Sequence, residues 1–297
     1  MPNSVPRKAY TLHAGGYQLQ LGAQTKIMGI LNLTPDSFSG DGLLKNNRDL
    51  HDRAVRQAHK LIQDGADILD IGGESTRPGA KQISANEEIA RVIPTISCLA
   101  KKIKIPISID TYKPQVAQKA LEAGATIVNN IMGTNPQTKL LKMVKNYDAT
   151  IVLMHIKGTP RTMQKNIFYK NCVQEIVETL QKSLEKCLEI GIKKDRIIID
   201  PGIGFGKTVE HNLEILNRLQ AFKILHQPLL IGTSRKAFIG KILNKDTSDR
   251  LIGTIASVCA GIINGAHLVR IHDVAALKEA ITVTDAIINE GRFLTTL

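Results

Sequence analysis

Short apolar segments alternate with amphipathic segments along most of the chain, and this alternation limits the fold more than any other feature. Eight of the apolar segments have the length and composition of buried strands. They are IMGILN (27–32), DILDIG (67–72), IPISID (105–110), TIVNNI (126–131), TIVLMH (150–155), RIIIDPG (196–202), PLLIGTS (228–234) and HLVRIHD (267–273). Apolar strands separated by helical segments indicate a parallel sheet. Eight such units in about 250 residues predict an α/β fold, a (β/α)8 TIM barrel.

The segment AYTLHAGGYQLQLG, which precedes the first of these strands, predicts a β-hairpin. Gly15 and Gly16 supply the residues that a tight hairpin turn requires. We expect the hairpin to plug the N-terminal end of the barrel. No linker or low-complexity tract interrupts the sequence, so residues 1–297 are expected to form a single domain.

Composition limits the cellular compartment and the kinds of partner that we expect. There is no apolar run of about 18 residues and no apolar segment near the N-terminus, so neither a membrane span nor a secretory signal is expected. The four cysteines form no C-x-x-C pair, which favours reduced thiols and a cytoplasmic protein. The net charge of +12 favours an anionic partner. Nucleic acid fits poorly, because aromatic residues make up 4% of the chain and Trp is absent; a small anionic substrate fits better.

Polar and ionisable residues follow the predicted strands at their carboxyl ends, where TIM barrels carry their active sites. They are Asn32, Glu74 to Arg77, Asp110, Asn129, His155, Asp200, Ser234 to Lys236, Arg270 and His272. Alternation along a strand places Arg270 and His272 on one face, and Asn32 on the same face as Met28 and Ile30. We therefore expect these groups to meet in one cavity above an apolar plug.

Most of these side chains also have a structural explanation. The alternatives are a helix cap for Asp110, a turn for Asp200, Asn129 and Asn130, and a satisfied core position for His155. Arg270 is harder to explain in this way, because a guanidinium inside a barrel strand is costly unless it meets an anion.

The glycine-rich segment PGIGFGKT (201–208) matches neither common phosphate-binding motif. Pro201 occupies the first glycine position of G-x-x-x-x-G-K-[ST], and Lys207 occupies the third glycine position of G-x-G-x-x-G. A tight loop whose glycines let a flat ligand approach the backbone is the simpler interpretation. The segment GESTRPGA (73–80) predicts a mobile loop that carries Arg77. The sequence has no Cys/His cluster of the kind that would predict a zinc site.

Seven motifs together resemble the dihydropteroate synthase family. They are NLTPDSFS, GGESTRPGA, SIDTYKP, MHIKGTPRTMQ, DPGIGFGK, GTSRKAFIG and VRIHDV, in this order from about Lys26 to Val274. The resemblance implies a folate-pathway transferase that joins 6-hydroxymethyl-7,8-dihydropterin diphosphate to 4-aminobenzoate and releases pyrophosphate. It also implies Mg2+ and a homodimer.

The resemblance further implies a role for each matching residue. Asn32, Arg77, Arg270 and His272 would bind the diphosphate, with Asn32 also at the Mg2+. Asp110, Asn129, Met154, Asp200 and Lys236 would bind the pterin, and Thr76, Pro78, Phe205 and Ser234 the aminobenzoate. Asp36, Asp110 and Lys236 are the candidate catalytic residues, and Thr34 to Phe38 would close over the site as a lid.

Two positions depart from the family pattern, and two other functions stay open. Asn130 stands where an acidic residue is common, and Ala237 where a polar side chain is common. A pterin-binding barrel of the corrinoid-dependent methyltransferase type would share the pterin pocket but would not need the diphosphate-binding set. A non-catalytic scaffold would be expected to lack the strand-end residues. The apolar segment LIGTIASVCAGIINGA suits either a dimer interface or a buried helix.

Overall fold

A barrel of eight parallel strands forms the centre of the molecule. The computed structural model describes residues 7–34, 47–75 and 80–290. The strands are β1 (Tyr10–Ala14), β2 (Tyr17–Leu21), β3 (Lys26–Asn32), β4 (Ile68–Gly72), β5 (Ile107–Asp110), β6 (Ile127–Asn130), β7 (Thr150–Met154), β8 (Ile197–Asp200), β9 (Leu230–Ile231) and β10 (Leu268–Ile271). Strands β3 to β10 pair in the order β8-β7-β6-β5-β4-β3-β10-β9. A parallel bridge between Ile199 and Leu229 joins the two ends of the sheet. The predicted (β/α)8 barrel is confirmed.

Helices alternate with the strands and cover the outside of the barrel. They are α1 (Asn47–Gln63), α2 (Ala85–Ala100), α3 (Pro114–Glu122), α4 (Thr138–Asn146), α5 (Cys172–Ile190), α6 (Val209–Asn217), α7 (Ala237–Leu243), α8 (Leu251–Ile263) and α9 (Val274–Ile288). Side chains that bond to backbone N–H groups fix several helix starts: Ser84 caps α2, Asn171 caps α5 and Thr208 caps α6. No helix among the described residues is long and apolar enough to cross a membrane.

The predicted hairpin is formed by β1 and β2, and it closes the N-terminal end of the barrel. Gly15 makes the turn with φ of +60°, a conformation that favours glycine. Leu12, Ala14 and Leu21 are buried against the first inward-facing residues of the barrel strands, among them Met28 and Ile68. The apolar plug therefore has two layers, one from the hairpin and one from the barrel.

Strand β9 is shorter than the predicted segment 228–234. Pro228 has no N–H to donate to a strand ladder, so regular pairing begins after it. At the other end, Lys236 N donates to the Thr233 carbonyl at 3.1 Å, which turns the chain away from the sheet. Ser234 and Lys236 therefore lie on a loop above the barrel.

Candidate functional site

Strand alternation sorts the barrel residues into an outer set and an inner set. The outer set, which includes Ile27, Leu69, Ile109 and Val269, packs under the helices. The inner set starts with the apolar plug and becomes polar one step further along each strand. Asp70, Asn129, Asp200 and Arg270 each follow an inner apolar residue by two positions, those residues being Ile68, Ile127, Ile198 and Leu268. The predicted convergence of polar groups above an apolar plug is thus present in the described residues.

An ionic network crosses the centre of this polar layer. Arg270 donates from Nε to Asp70 Oδ2 at 2.6 Å and from Nη2 to Asp110 Oδ2 at 2.7 Å. Asn129 Nδ2 donates to the same oxygen of Asp70 at 3.1 Å. Asp70 is not among the residues predicted from the sequence, because it lies inside a predicted strand rather than at its end. An acidic residue on the inner face of an apolar strand was the signal that would have revealed it.

Asp110 is buried at the mouth of the barrel and does not cap a helix, because α3 begins after Lys113. Burial raises the pKa of its carboxyl to about 7, although the Arg270 guanidinium opposes this rise. Its second oxygen, Oδ1, has no hydrogen-bond partner among the described residues. The carboxylate therefore keeps an acceptor for a ligand.

Asp200 and Lys236 both lie at the barrel mouth, close enough for their charges to interact. Asp200 Oδ1 accepts from Gly202 N at 2.7 Å, so this carboxylate also has the turn role proposed as an alternative. Burial raises the pKa of Asp200 to about 6. Burial, and secondarily the charge of Arg270, lowers the pKa of Lys236 to about 8. Both groups therefore titrate near neutral pH.

An apolar wall borders the polar groups. Met154 and Phe205 belong to one small cluster above the barrel. The Lys236 ammonium lies 4.0 Å from the centroid of the Phe205 ring, a distance typical of a cation–π contact. The wall and the ammonium together give the cavity one flat apolar side with a positive charge at its edge.

The loops after β7 and β8 are tied together behind this wall. The buried Lys207 ammonium contacts His155 Nδ1 at 2.9 Å and donates to the Phe205 carbonyl at 2.9 Å. His155 thus has the core position considered from the sequence. A side chain at Gly202 would lie 1.8 Å from the His155 carbonyl, so that glycine is required by the neighbouring loop. Burial lowers the pKa of Lys207 to about 7.

His272 and Ser234 meet at the rim. The Ser234 hydroxyl lies 3.0 Å from His272 Nδ1 and accepts from His272 N at 3.2 Å. Burial, followed by the charge of Arg270, lowers the pKa of His272 to about 3, which keeps the imidazole neutral. Ser234 thus lies beside a residue of the predicted anion set. The adjacent Arg235 turns aside and pairs with Asp273 through Nε at 2.9 Å.

The remaining predicted residues divide into two groups. Asp36, Thr76, Arg77 and Pro78 lie outside the described residues, as does most of the predicted lid. Asn130 is buried, and its Oδ1 accepts from Met132 N at 3.0 Å, so it has a turn role at the position where the family commonly carries a charge. Ala237 is the first residue of α7.

The arrangement defines a class of protein: a (β/α)8-barrel whose site combines a pocket with both donors and acceptors, a flat apolar wall, and cationic and neutral donors for an anion. The model of the family described as pterin binding enzyme matches residues 28–272. The chain belongs to this family.

Comparison with individual proteins narrows the class further. The chain is 45% identical to the dihydropteroate synthase of Synechocystis sp., with 90% of this chain and 91% of that protein covered. A dihydropteroate synthase from Clostridium difficile, solved in the presence of pteroic acid, is 43% identical with a TM-score of 0.82, covering 89% of this chain and 97% of that one. The Xanthomonas albilineans enzyme with 4-aminobenzoic acid is 37% identical with a TM-score of 0.86, covering 94% and 98%. The predicted relationship to dihydropteroate synthases, which are transferases, is confirmed.

Proposed function

We propose that the chain catalyses the dihydropteroate synthase reaction, joining 6-hydroxymethyl-7,8-dihydropterin diphosphate to 4-aminobenzoate. The observation that carries this proposal is the Arg270 guanidinium, which lies inside the barrel mouth between Asp70 and Asp110. It offers cationic donors to a diphosphate next to the pocket in which a pterin would lie. The relatives solved with pteroic acid and with 4-aminobenzoic acid support the identity of the two reactants.

The pterin is assigned to the deeper part of the cavity. Its aminopyrimidinone edge has both donors and acceptors, and so do the side chains that line this part. We assign to it Asp110, Asn129, Met154, Asp200 and Lys236. The two carboxylates would accept from pterin N–H groups, Lys236 would donate, and Met154 would pack on the ring.

The diphosphate is assigned to the part of the mouth near β3 and β10. Asn32 ends β3, Arg270 lies on β10, and His272 follows it. Arg77 would complete this set from outside the described residues. Because His272 is held neutral, we expect it to donate one N–H rather than to supply charge.

Mg2+ is assigned to Asn32 together with the diphosphate. A side chain at Gly72 would lie 3.5 Å from Asp110 Cβ and 3.6 Å from Asn32 Oδ1, so the glycine leaves room beside the amide oxygen of Asn32. No group of three or more His, Cys, Asp or Glu side chains in the described part of the chain is arranged to hold a metal. A single amide oxygen beside a diphosphate fits Mg2+, which often takes one or two protein oxygens and completes its shell with water and substrate phosphates. When bound, Mg2+ would neutralise charge on the diphosphate.

The aminobenzoate is assigned to the rim, beside Phe205 and Ser234. Thr76 and Pro78 would border it from outside the described residues. Phe205 offers a flat apolar face, and Ser234 a hydroxyl. The lid predicted at Thr34 to Phe38 would exclude water and bring Asp36 near the reacting centre.

We favour a dissociative reaction. The bond between the exocyclic methylene carbon and the diphosphate oxygen breaks, and both electrons leave with pyrophosphate. The amine nitrogen then bonds to the methylene carbon of the pterin cation and loses a proton. Asp110 would stabilise that cation, whereas Arg270 would stabilise the departing anion. No residue needs to act as a covalent nucleophile.

A homodimer and a cytoplasmic location are proposed from two further observations. Exposed apolar side chains on α8 and α9 favour a homodimer; they are Ile252, Ile263, Val283 and Ile287. Four free cysteines fit the reducing cytoplasm.

One experiment tests the function directly. The purified protein is mixed with dihydropterin diphosphate, Mg2+ and 4-aminobenzoate, and pyrophosphate and dihydropteroate are measured. We expect both products in equal amounts. Absence of both products from folded protein would exclude the proposal.

A further inference from the structure

Asp70 is a fully buried carboxylate to which the proposed reaction gives no role. Its side chain has 0% exposure and faces the barrel interior from β4. One oxygen, Oδ2, accepts from both Arg270 Nε and Asn129 Nδ2. The same atom therefore contacts one residue assigned to the diphosphate and one assigned to the pterin.

The two partners of Arg270 differ in how easily they can be exchanged. A guanidinium has five N–H groups in one plane, so the bond from Nε to Asp70 fixes the direction in which the others point. Asp70 lies deeper than Asp110, and removing its cation would leave an unpaired buried charge, which is strongly destabilising. Asp110 lies nearer the mouth, at 9% exposure. An incoming anion would therefore take the Nη groups of Arg270 while the bond to Asp70 remains.

Asp70 also fixes the side-chain orientation of Asn129. An ionised carboxylate only accepts hydrogen bonds, so the Asn129 amide must turn its nitrogen toward Asp70. Its oxygen then points elsewhere, as an acceptor for a ligand N–H. Asn129 is itself buried, so few other groups compete for this orientation.

We propose that Asp70 is a positioning residue that orients the Arg270 guanidinium toward the leaving diphosphate and the Asn129 amide toward the pterin. This inference rests on the proposed function. Asp110 is then the exchangeable partner of Arg270, released toward the pterin when the anion binds.

The test replaces Asp70 with Asn, which keeps the size of the side chain but removes its charge, so that a single neutral amide oxygen remains to accept from Arg270 and Asn129. We expect the affinity for pyrophosphate with Mg2+, measured by calorimetry, to fall at least tenfold. The KM for dihydropterin diphosphate should rise to a similar extent, whereas the KM for 4-aminobenzoate should stay within about twofold.

Asp285→Asn is the matched control. Asp285 accepts from Arg7 Nη2 at 2.6 Å, and both side chains are buried, at 5% and 3% exposure, but they lie near the start of β3 rather than at the mouth. We expect this variant to lose thermal stability and to keep its pyrophosphate affinity. A loss of pyrophosphate affinity equal to that of Asp70→Asn would overturn the inference, because general destabilisation would then explain both.

A double-mutant cycle with Arg270→Met separates the two functions of Asp70. In the Arg270→Met background, Asp70→Asn should weaken pyrophosphate binding little further, because Asp70 acts on the anion through Arg270. It should still weaken binding of the pterin, through Asn129. The double variant removes both charges, so it stays informative even if Asp70→Asn alone fails to fold.

Three outcomes are distinguishable. Additive losses of pyrophosphate affinity, or pterin affinity equal in the double variant and in Arg270→Met, would overturn the positioning role. Unchanged affinities of folded Asp70→Asn for pyrophosphate and the pterin would also overturn the positioning role. If the wild-type protein is active in that case, the proposed function still holds. A wild-type protein that neither binds pyrophosphate nor makes product would exclude the proposed function itself.

Discussion

At the residue scale, burial brings the pKa values of three ionisable groups at the barrel mouth close to neutral pH. The pKa of Asp110 rises to about 7 and that of Asp200 to about 6, while the pKa of Lys236 falls to about 8. The proposed site therefore combines ionised carboxylates and an ammonium only over a narrow pH range.

This combination predicts a bell-shaped dependence of kcat/KM on pH for the dihydropterin diphosphate. The acid limb belongs to Asp110 and Asp200 together and should lie between about pH 6 and 7, because protonation removes their charges as the pH falls. The alkaline limb should lie near pH 8, because Lys236 loses its proton as the pH rises.

Lys236→Arg provides the control, since a guanidinium keeps its charge. Whatever its overall activity, this variant should show the alkaline limb at least one pH unit higher than the wild type. The substrate's own ionisation is the same in both proteins. An alkaline limb that does not move would assign it to another group.

Asp110→Asn tests whether a pterin cation develops beside this carboxylate. Unit charges about 4 Å apart attract by roughly 4 kcal/mol at an effective dielectric of about 20, and delocalisation over the ring should halve this. We predict a fall of about 30-fold in kcat, measured as pyrophosphate release with and without 4-aminobenzoate. A raised KM for the pterin with intact kcat would instead assign Asp110 to ground-state binding.

At the element scale, Lys207 fastens the loop after β8 to the loop after β7. Its ammonium reaches the backbone of Phe205 and the ring of His155, and both loops contribute to the apolar wall of the site. The position of Phe205 against Lys236 thus depends in part on a buried lysine that has no assigned ligand.

Lys207→Met should lower the free energy of unfolding by about 1–3 kcal/mol, because a buried carbonyl and a buried ring nitrogen lose their donor. Urea denaturation at about pH 10 measures this, because below the ordinary lysine pKa of 10.5 the lowered pKa of Lys207, about 7, costs the wild type stability that the Met variant would recover. We also expect a raised KM for 4-aminobenzoate through displacement of Phe205.

Lys186→Met is the matched control for this effect. Lys186 also donates to a backbone carbonyl, that of Pro136 at 2.7 Å, but it is less buried and lies on α5. We expect a smaller loss of stability and an unchanged KM. Equal effects of the two variants would show that the link between the loops has no special role.

The sequence predicted the order of elements well because wholly apolar strands leave little ambiguity in a parallel barrel. It also predicted the polar strand ends, since these interrupt an apolar pattern. Asp70 and Lys207 were missed for a common reason. Their partners lie 200 and 52 positions away in the chain, so a local pattern can mark Asp70 as unusual but cannot identify the contact that either residue makes. The end of β9 was misjudged because a loop hydrogen bond, rather than composition, terminates it.

At the scale of the whole molecule, α8 and α9 pack against each other and expose an apolar surface. Ile252 and Ile287 are 71% and 70% exposed, and Ile263 and Val283 on the same two helices are exposed as well. We proposed that a second copy of the chain covers this surface.

Ile287→Asp should weaken the proposed dimer, because association would then bury an unpaired carboxylate. Sedimentation at micromolar concentration should show the wild type at twice the 32.5 kDa of one chain, and the variant largely at that of one chain. Phe168→Asp is the control, because Phe168 is 72% exposed on a loop at the mouth. A wild type that sediments as a monomer, or a control that dissociates equally, would contradict the assignment of this interface.

The hairpin at the N-terminal end of the barrel has a consequence for the entry of substrates and the release of product. Because Leu12, Ala14 and Leu21 seal that end, we expect ligands to enter and leave at the opposite end of the barrel, where the site is assigned. The pterin lies deepest in our assignment, so it has to arrive before 4-aminobenzoate covers it. The same geometry holds the product by its buried pterin end until the rim is clear. In this assignment an accumulating product would therefore compete with the next pterin diphosphate, because both need the same closed end of the barrel.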